Sequence, residues 1–259
     1  MKKITIFICV FIAQVVALPI GAETVSRVSP TEITVRAKAK DAKFIGSSIG
    51  GAMVIIRAAD TGEILARGLT QGSTGDTGKI MQTPRERHVP IAEGAAKFTA
   101  KLDIREPVFL TVEVLAPYIK KQARVVAQTQ TWLVPGKPIT GEGLIVEIPG
   151  MVVGLLSPQT HLYTGLDKSP FEIRANVVMM CGCSLTAGGL WDGSKIEVTA
   201  LIKKDGADFA TIPLKIQDTM NTFSAPFATD LPGVYEILVY AYDAKTGNTG
   251  VDRGSFIVK

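Results

Sequence analysis

The chain is poor in the residues that carry most enzymatic chemistry: three cysteines and two histidines occur in 259 residues. His88 and His161 belong to no HExxH or comparable cluster, and no GxSxG nucleophile elbow is present. The glycines of Gln71-Gly-Ser-Thr-Gly-Asp-Thr-Gly78 do not follow a strand with P-loop or GxGxxG spacing, which rejects a phosphate cradle. An excess of one charge is also missing. Lys plus Arg number 28 against 24 Asp plus Glu, a formal net charge of +4, which argues against a dedicated nucleic-acid binder. So few cysteines do not make a disulfide scaffold. Folding must come from burial, for which a hydrophobic fraction of 46% supplies the material. The expectation is a non-enzyme. Carboxylates distant in sequence can still meet in a fold, and the inventory is silent on such a pair.

Long apolar runs are absent after the first residues. Lys2 and Lys3 precede an apolar run from Ile4 to Leu18, and Pro19-Ile-Gly-Ala22 adds a break and small residues. That is the layout of a secretory signal peptide cleaved after Ala22. The run is too short for a membrane span. Cleavage would remove Cys9 and both lysines, leaving Cys181 and Cys183. The expected location is the periplasm or the cell surface, with no membrane span after cleavage. The remaining residues, roughly 240, suit two sandwiches of about 100 each.

What fills the chain is short runs of Val, Ile, Thr and aromatics separated by Gly, Pro, Asp and Asn, the all-β pattern. Thr31–Lys40 alternates Ile33, Val35, Ala37 and Ala39 against Glu32, Thr34, Arg36 and Lys38. Further strands are expected at 51–59, 64–66, 96–104, 108–115, 124–134 and 144–148, then at 171–179, 195–202, 210–216 and in a final hairpin over 231–258. The boundary is placed near Gly150, with 150–163 as an apolar connector, so the expected domains are 23–150 and 151–259. The loop from Thr70 to Ile91 is long enough to be functional or mobile. The expected architecture is two tandem antiparallel β-sandwich modules.

The order strand, Asp60-Thr-Gly-Glu63 turn, strand, long loop, then Lys97-Phe-Thr-Ala-Lys-Leu102 and Pro107-Val-Phe-Leu-Thr-Val-Glu-Val114 resembles transthyretin-like and carboxypeptidase-regulatory-like sandwich modules over about residues 28–150. Leu231-Pro-Gly-Val-Tyr235, Ala241-Tyr-Asp243 and the Gly247-Asn248 turn resemble the last strands of bacterial immunoglobulin-like domains over about 155–259. These resemblances imply binding, spacer or structural modules and name no ligand. The implied partner is a protein of the cell envelope, met through sheet edges and the 70–91 loop.

One stretch is chemically unusual, Asn176-Val-Val-Met-Met-Cys-Gly-Cys-Ser-Leu185. In an extended strand the Cα atoms of Cys181 and Cys183 would lie about 6.5–7 Å apart, at the far edge of disulfide geometry. Gly182 lets the backbone turn between them. Three roles stay open: a structural pair, a thiol–disulfide exchange site, or a soft-metal site for Cu(I). In the last, Cys181 and Cys183 supply thiolates, and Met179, Met180 or His161 complete the set. No charged neighbour in sequence depresses a thiol pKa, which counts against exchange. Asp243 to Asp252 offers two carboxylates and an amide near a turn, yet lacks EF-hand spacing, and a polar hairpin explains it equally well.

Overall fold

The computed structural model describes residues 30–165 and 171–259. The signal-peptide expectation for residues 1–22 lies outside the described residues. Among those described, no helix is long and apolar enough to cross a membrane. The chain is all-β. The first group of strands is β1 (Thr31–Ala39), β2 (Met53–Ala58), β3 (Ile64–Leu69), β4 (Phe98–Leu102), β5 (Val108–Ala116), β6 (Val125–Leu133) and β7 (Ile139–Ile148). They form a β4-β1-β7 sheet and a β3-β2-β5-β6 sheet. Ile33, Val35 and Ala37 of β1 are buried with Val54 and Ile56 of β2 and Leu110, Val112 and Val114 of β5, as period-two patterning requires of facing sheets.

The second group is β8 (Met151–Ser157), β9 (Leu162–Thr164), β10 (Phe171–Met179), β11 (Glu197–Lys204), β12 (Ala207–Ile216), β13 (Thr222–Phe227), β14 (Gly233–Tyr242) and β15 (Thr249–Val258). Strand β12 pairs with β11 along its length and with β13 at Lys215 and Ile216. It thereby joins the β8-β10-β13 layer to the β11-β14-β15-β9 layer. Tyr235, Phe256, Phe227 and Phe223 are buried together with Ile173, Ala175 and Val177.

Three features differ from the sequence reading. The 150–163 stretch is not a connector: Met151, Val152 and Val153 are buried and pair with Met179, Val178 and Val177 of β10. The sheets are not wholly antiparallel, since β1 pairs with β7, and β15 with β9, in parallel. The 70–91 segment is partly pinned down. Gln71 and Ser73 bridge to Lys97 and Ala95, and Ile80 packs on Phe44, Ala92 and Ala95 in a small separate core. On the outer side of β1, Arg36 is buried beside that core, its guanidinium 6.0 Å from the Phe44 ring centroid, and Thr34 is buried against Thr99 and Gly143.

Strand β7 carries an irregularity. Ile33 faces Ile139 but Val35 faces Leu144, so β7 has three extra residues. Gly141 and Gly143 both take φ 70°, and a Cβ on Gly143 would lie 2.5 Å from the Thr34 carbonyl oxygen. Two glycines in the left-handed region extrude Glu142 from the ladder.

Candidate functional site: the Cys181–Cys183 hairpin and its surroundings

Strand β10 buries Ile173, Ala175, Val177 and Met179 and turns Glu172 and Arg174 outward, as its alternation predicts. It does not run on through the cysteines. The Gly182 N–H donates to the Met179 carbonyl (2.7 Å) and the Met179 N–H to the Cys183 carbonyl (3.0 Å). Val178 then pairs with Ser184. Met180, Cys181 and Gly182 thus form a three-residue hairpin loop with Gly182 at φ 79°, a loop type that takes glycine in the left-handed position. The turn shortens the Cα separation of Cys181 and Cys183 to 5.4 Å, and they are joined in a disulfide.

The hairpin tip sits where the two strand groups meet. A Cβ on Gly182 would come within 3.2 Å of the Ile49 side chain. A shallow notch of about 320 Å³ above the disulfide is lined by Lys43, Ser48 and Thr74 from the first group and Ser184 and Trp191 from the second. Trp191 Nε1–H donates to the Asp41 carbonyl (2.8 Å). Asn248, fully buried, accepts from Gly150 N–H (2.8 Å) and donates to the Lys40 carbonyl (3.1 Å). Lys43 is a charged neighbour that the sequence around the cysteines does not disclose, because it arrives from more than a hundred residues away.

The loop holding Trp191 is organised by Asp192. Its Oδ1 accepts from the Ser194 hydroxyl (2.7 Å), the Gly188 N–H (2.8 Å) and the Ser194 N–H (3.1 Å). These bonds, the Ser194 hydroxyl foremost, hold the carboxyl down at about 2.

The five sequence-predicted residues are only partly assembled. Cys181 and Cys183 are together, 1% and 9% exposed. Met179 ends β10 within the core, and Met180 is fully buried with its methyl toward Gly150. His161 is elsewhere. Its N–H donates to the Ser255 carbonyl (2.7 Å), and its ring pairs edge-on with Tyr163 (3.1 Å to the hydroxyl). Met180 lies beside Thr249, at the other end of β15. Six residues of strand, about 20 Å, separate the two ends, so the structure does not bring His161 to the cysteine pair. Among the described residues no group of three or more His, Cys, Asp or Glu could hold a metal ion. In the Asp243–Asp252 turn the carboxylates are engaged otherwise, Asp243 by Lys245 N–H and the Thr246 hydroxyl and Asp252 by Leu155 N–H.

Two further features stand apart from the cysteines. Strand β6 is a terminal strand of its sheet, nine residues long with no charge and no proline. Val126 and Trp132 on its outer face are 59% and 60% exposed, with the Phe109 ring tilted against Trp132 at 5.0 Å between centroids. On the opposite side of the same sandwich, a cleft of about 670 Å³ opens between the 83–93 segment, Arg36 and Glu142. The Gly141-Glu142-Gly143 spacing inside a strand pattern is the sequence signal for that bulge.

No family model matches the chain, and no curated protein matches it significantly. Among solved structures, the fibronectin(III)-like modules of CbhA from Clostridium thermocellum align at 14% identity over 90% of this chain and 92% of that chain, with TM-score 0.30. The chicken interferon gamma receptor alpha chain aligns at 10% identity over 90% and 99%, with TM-score 0.31. Superpositions this loose carry no argument about activity. The fold and the site together define an all-β sandwich protein with a disulfide-closed hairpin between its two groups of strands.

Proposed function

We propose that the chain is an exported, non-catalytic binding or accessory module of the cell envelope that docks a protein partner along β6. The observation that carries this reading is the uncharged, proline-free edge of β6 with Trp132 and Val126 exposed on it. Free edges are ordinarily blunted by Lys, Pro, bulges or a covering segment, because unpaired N–H and C=O groups template further strands. An edge without charge or proline fits an added partner strand, whose main chain bonds to β6 while the Trp132–Phe109 pair receives a side chain. Export rests on the leader-like residues 1–22. The test is native electrophoresis of gently solubilised envelope from the parent cell. Wild-type protein is expected in a larger complex, and Val126→Ser/Trp132→Ser as free chain with unchanged secondary structure. Wild type and variant migrating alike would overturn the reading.

A second reading uses Cys181 and Cys183, whose notch Lys43 also lines while its ammonium donates to the Thr77 hydroxyl (3.0 Å). A nearby cation stabilises thiolate, which helps both thiol–disulfide exchange and Cu(I) ligation. As a disulfide the pair offers no thiolate, so copper binding would follow reduction, with Met179 or Met180 as thioether neighbours. Protein reduced with a mild thiol reductant and then supplied with Cu(I) would carry about one copper per chain, lost in Cys181→Ser/Cys183→Ser. A metal-free disulfide that mild reductant opens in the folded state supports exchange, and a metal-free disulfide that resists it until denaturation leaves the docking reading.

A further inference from the structure

Neither reading uses the 117–124 loop between β5 and β6, and its charge is one-sided. From Val114 to Gly141 the chain holds Lys120, Lys121, Arg124 and Lys137 and no Asp or Glu. The loop is tied down. Ala123 is buried, and Arg124 donates to the Tyr118 carbonyl with its guanidinium 4.8 Å from the centre of the Tyr118 ring. Held this way, Ile119 lies over Gly50, where a Cβ would come within 2.3 Å of its side chain, and it is still 67% exposed. The Tyr118 N–H donates to the Gly51 carbonyl (2.9 Å), which carries the ladder on from an apolar row. In that row Leu69, Met53, Leu115 and Val126 stand opposite one another across β3, β2, β5 and β6, a span of about 14 Å. Leu69 and Val126 at its ends are exposed. Glu113 is the one carboxylate in these four strands, and it pairs with Arg57 (3.3 Å). Residues 121–123 adjoin β15, where Asp252, like Asp243 in the turn before it, is engaged within its own strand group. Among the described residues neither Lys120 nor Lys121 enters an ion pair.

An apolar tip flanked by unpaired cations matches the boundary of an anionic bilayer, where the apolar group enters the headgroup region and the ammonium groups stay at the phosphates. We infer that this loop docks the chain on an anionic lipid surface, with Ile119 inserted, Lys120 and Lys121 on the lipid phosphates, and the row from Leu69 to Val126 facing the bilayer. A protein partner fits less well, because the buried centres of protein interfaces are depleted in lysine, and here two lysines adjoin the apolar tip. The proposal goes beyond partner docking and stands or falls separately. The Trp132–Phe109 pair lies about 20 Å from Val126 along β6, and an added partner strand bonds in the plane of the sheet, not on its face.

The test is cosedimentation of the folded protein with vesicles of phosphatidylcholine plus phosphatidylglycerol and of phosphatidylcholine alone. Binding is expected to the anionic vesicles, at least about tenfold weaker to the neutral ones, and to fall as salt rises from about 0.05 M to about 0.5 M. Lys120→Gln/Lys121→Gln is expected to weaken it by about fivefold per lysine, and Ile119→Ser severalfold, both with unchanged circular dichroism. Lys101→Gln/Lys215→Gln, the same charge change at exposed positions away from the loop, is expected to bind as wild type. No binding to anionic vesicles, equal binding to neutral ones, or an equal loss in the Lys101/Lys215 variant would overturn the proposal. So would vesicles left unbound while Ile119→Ser frees the chain from an envelope complex in native electrophoresis, which would put a protein on this loop instead.

Discussion

Gly182 shows how one residue decides the character of the cysteine pair. Its φ of 79° closes the hairpin loop, and its missing Cβ leaves room for Ile49 of the other strand group. Gly182→Val is expected to destabilise the protein by about 1–2 kcal/mol through the left-handed backbone alone, with more where Ile49 must shift. Denaturant unfolding under oxidising conditions measures this, and unchanged stability would refute the assignment. Asn248 is the polar counterpart. Asn248→Ala would leave the Gly150 N–H and the Lys40 carbonyl unpaired in a buried place, costing about 1–3 kcal/mol for each group. Asp192 adds a pH dependence. Its carboxyl is depressed to about 2 from an ordinary 3.8, so what it contributes is complete above the ordinary value and is lost as pH falls through about 2. In a Trp132→Phe background, Trp191 emission is expected to hold down to about pH 4 and change between there and pH 2. An Asp192→Asn variant with the same profile would contradict it.

Among the elements, those with strict alternation were the most legible. The inward set of β10 follows from period two, as does the burial of Ile33, Val35 and Ala37 in β1. Legibility failed where tertiary context took over. Met151-Val-Val153 reads as an apolar connector because a strand buried by neighbours distant in sequence has no alternation of its own. The 70–91 segment reads as a polar loop because its anchors are Phe44 and Ala95, which no local pattern ties to it. The Cys-Gly-Cys turn was legible as a possibility through Gly182. The partners around it were not: Ile49, Lys43 and Asp41 reach it only through docking of the two strand groups. The bulge in β7 belongs here too. Gly143→Ala places a methyl against the Thr34 carbonyl at φ 70° and is expected to destabilise by about 2–4 kcal/mol, seen as a lowered urea midpoint. A neutral result would mean that the bulge can relax.

At the scale of the molecule, one buried cluster runs from Ile33 to Val258 and includes Met179, Met180, Cys181 and Cys183. The interface adds the Trp191–Asp41 and Asn248–Lys40 hydrogen bonds. Such continuity predicts a single cooperative unfolding transition, with calorimetric and van't Hoff enthalpies in agreement; two separated transitions would show that the strand groups are energetically independent. A core continuous through both strand groups fits the proposed docking module. Edge strand β6 is the surface proposed for docking. The most direct measurement places a photocrosslinking amino acid at Gln128, exposed on β6, and for comparison at Lys245, exposed in the turn after β14. Irradiation in intact parent cells is expected to give a discrete adduct with one envelope protein from position 128 and none from 245. No adduct at 128, the same adducts from both positions, or only a dimer of this chain would contradict the account.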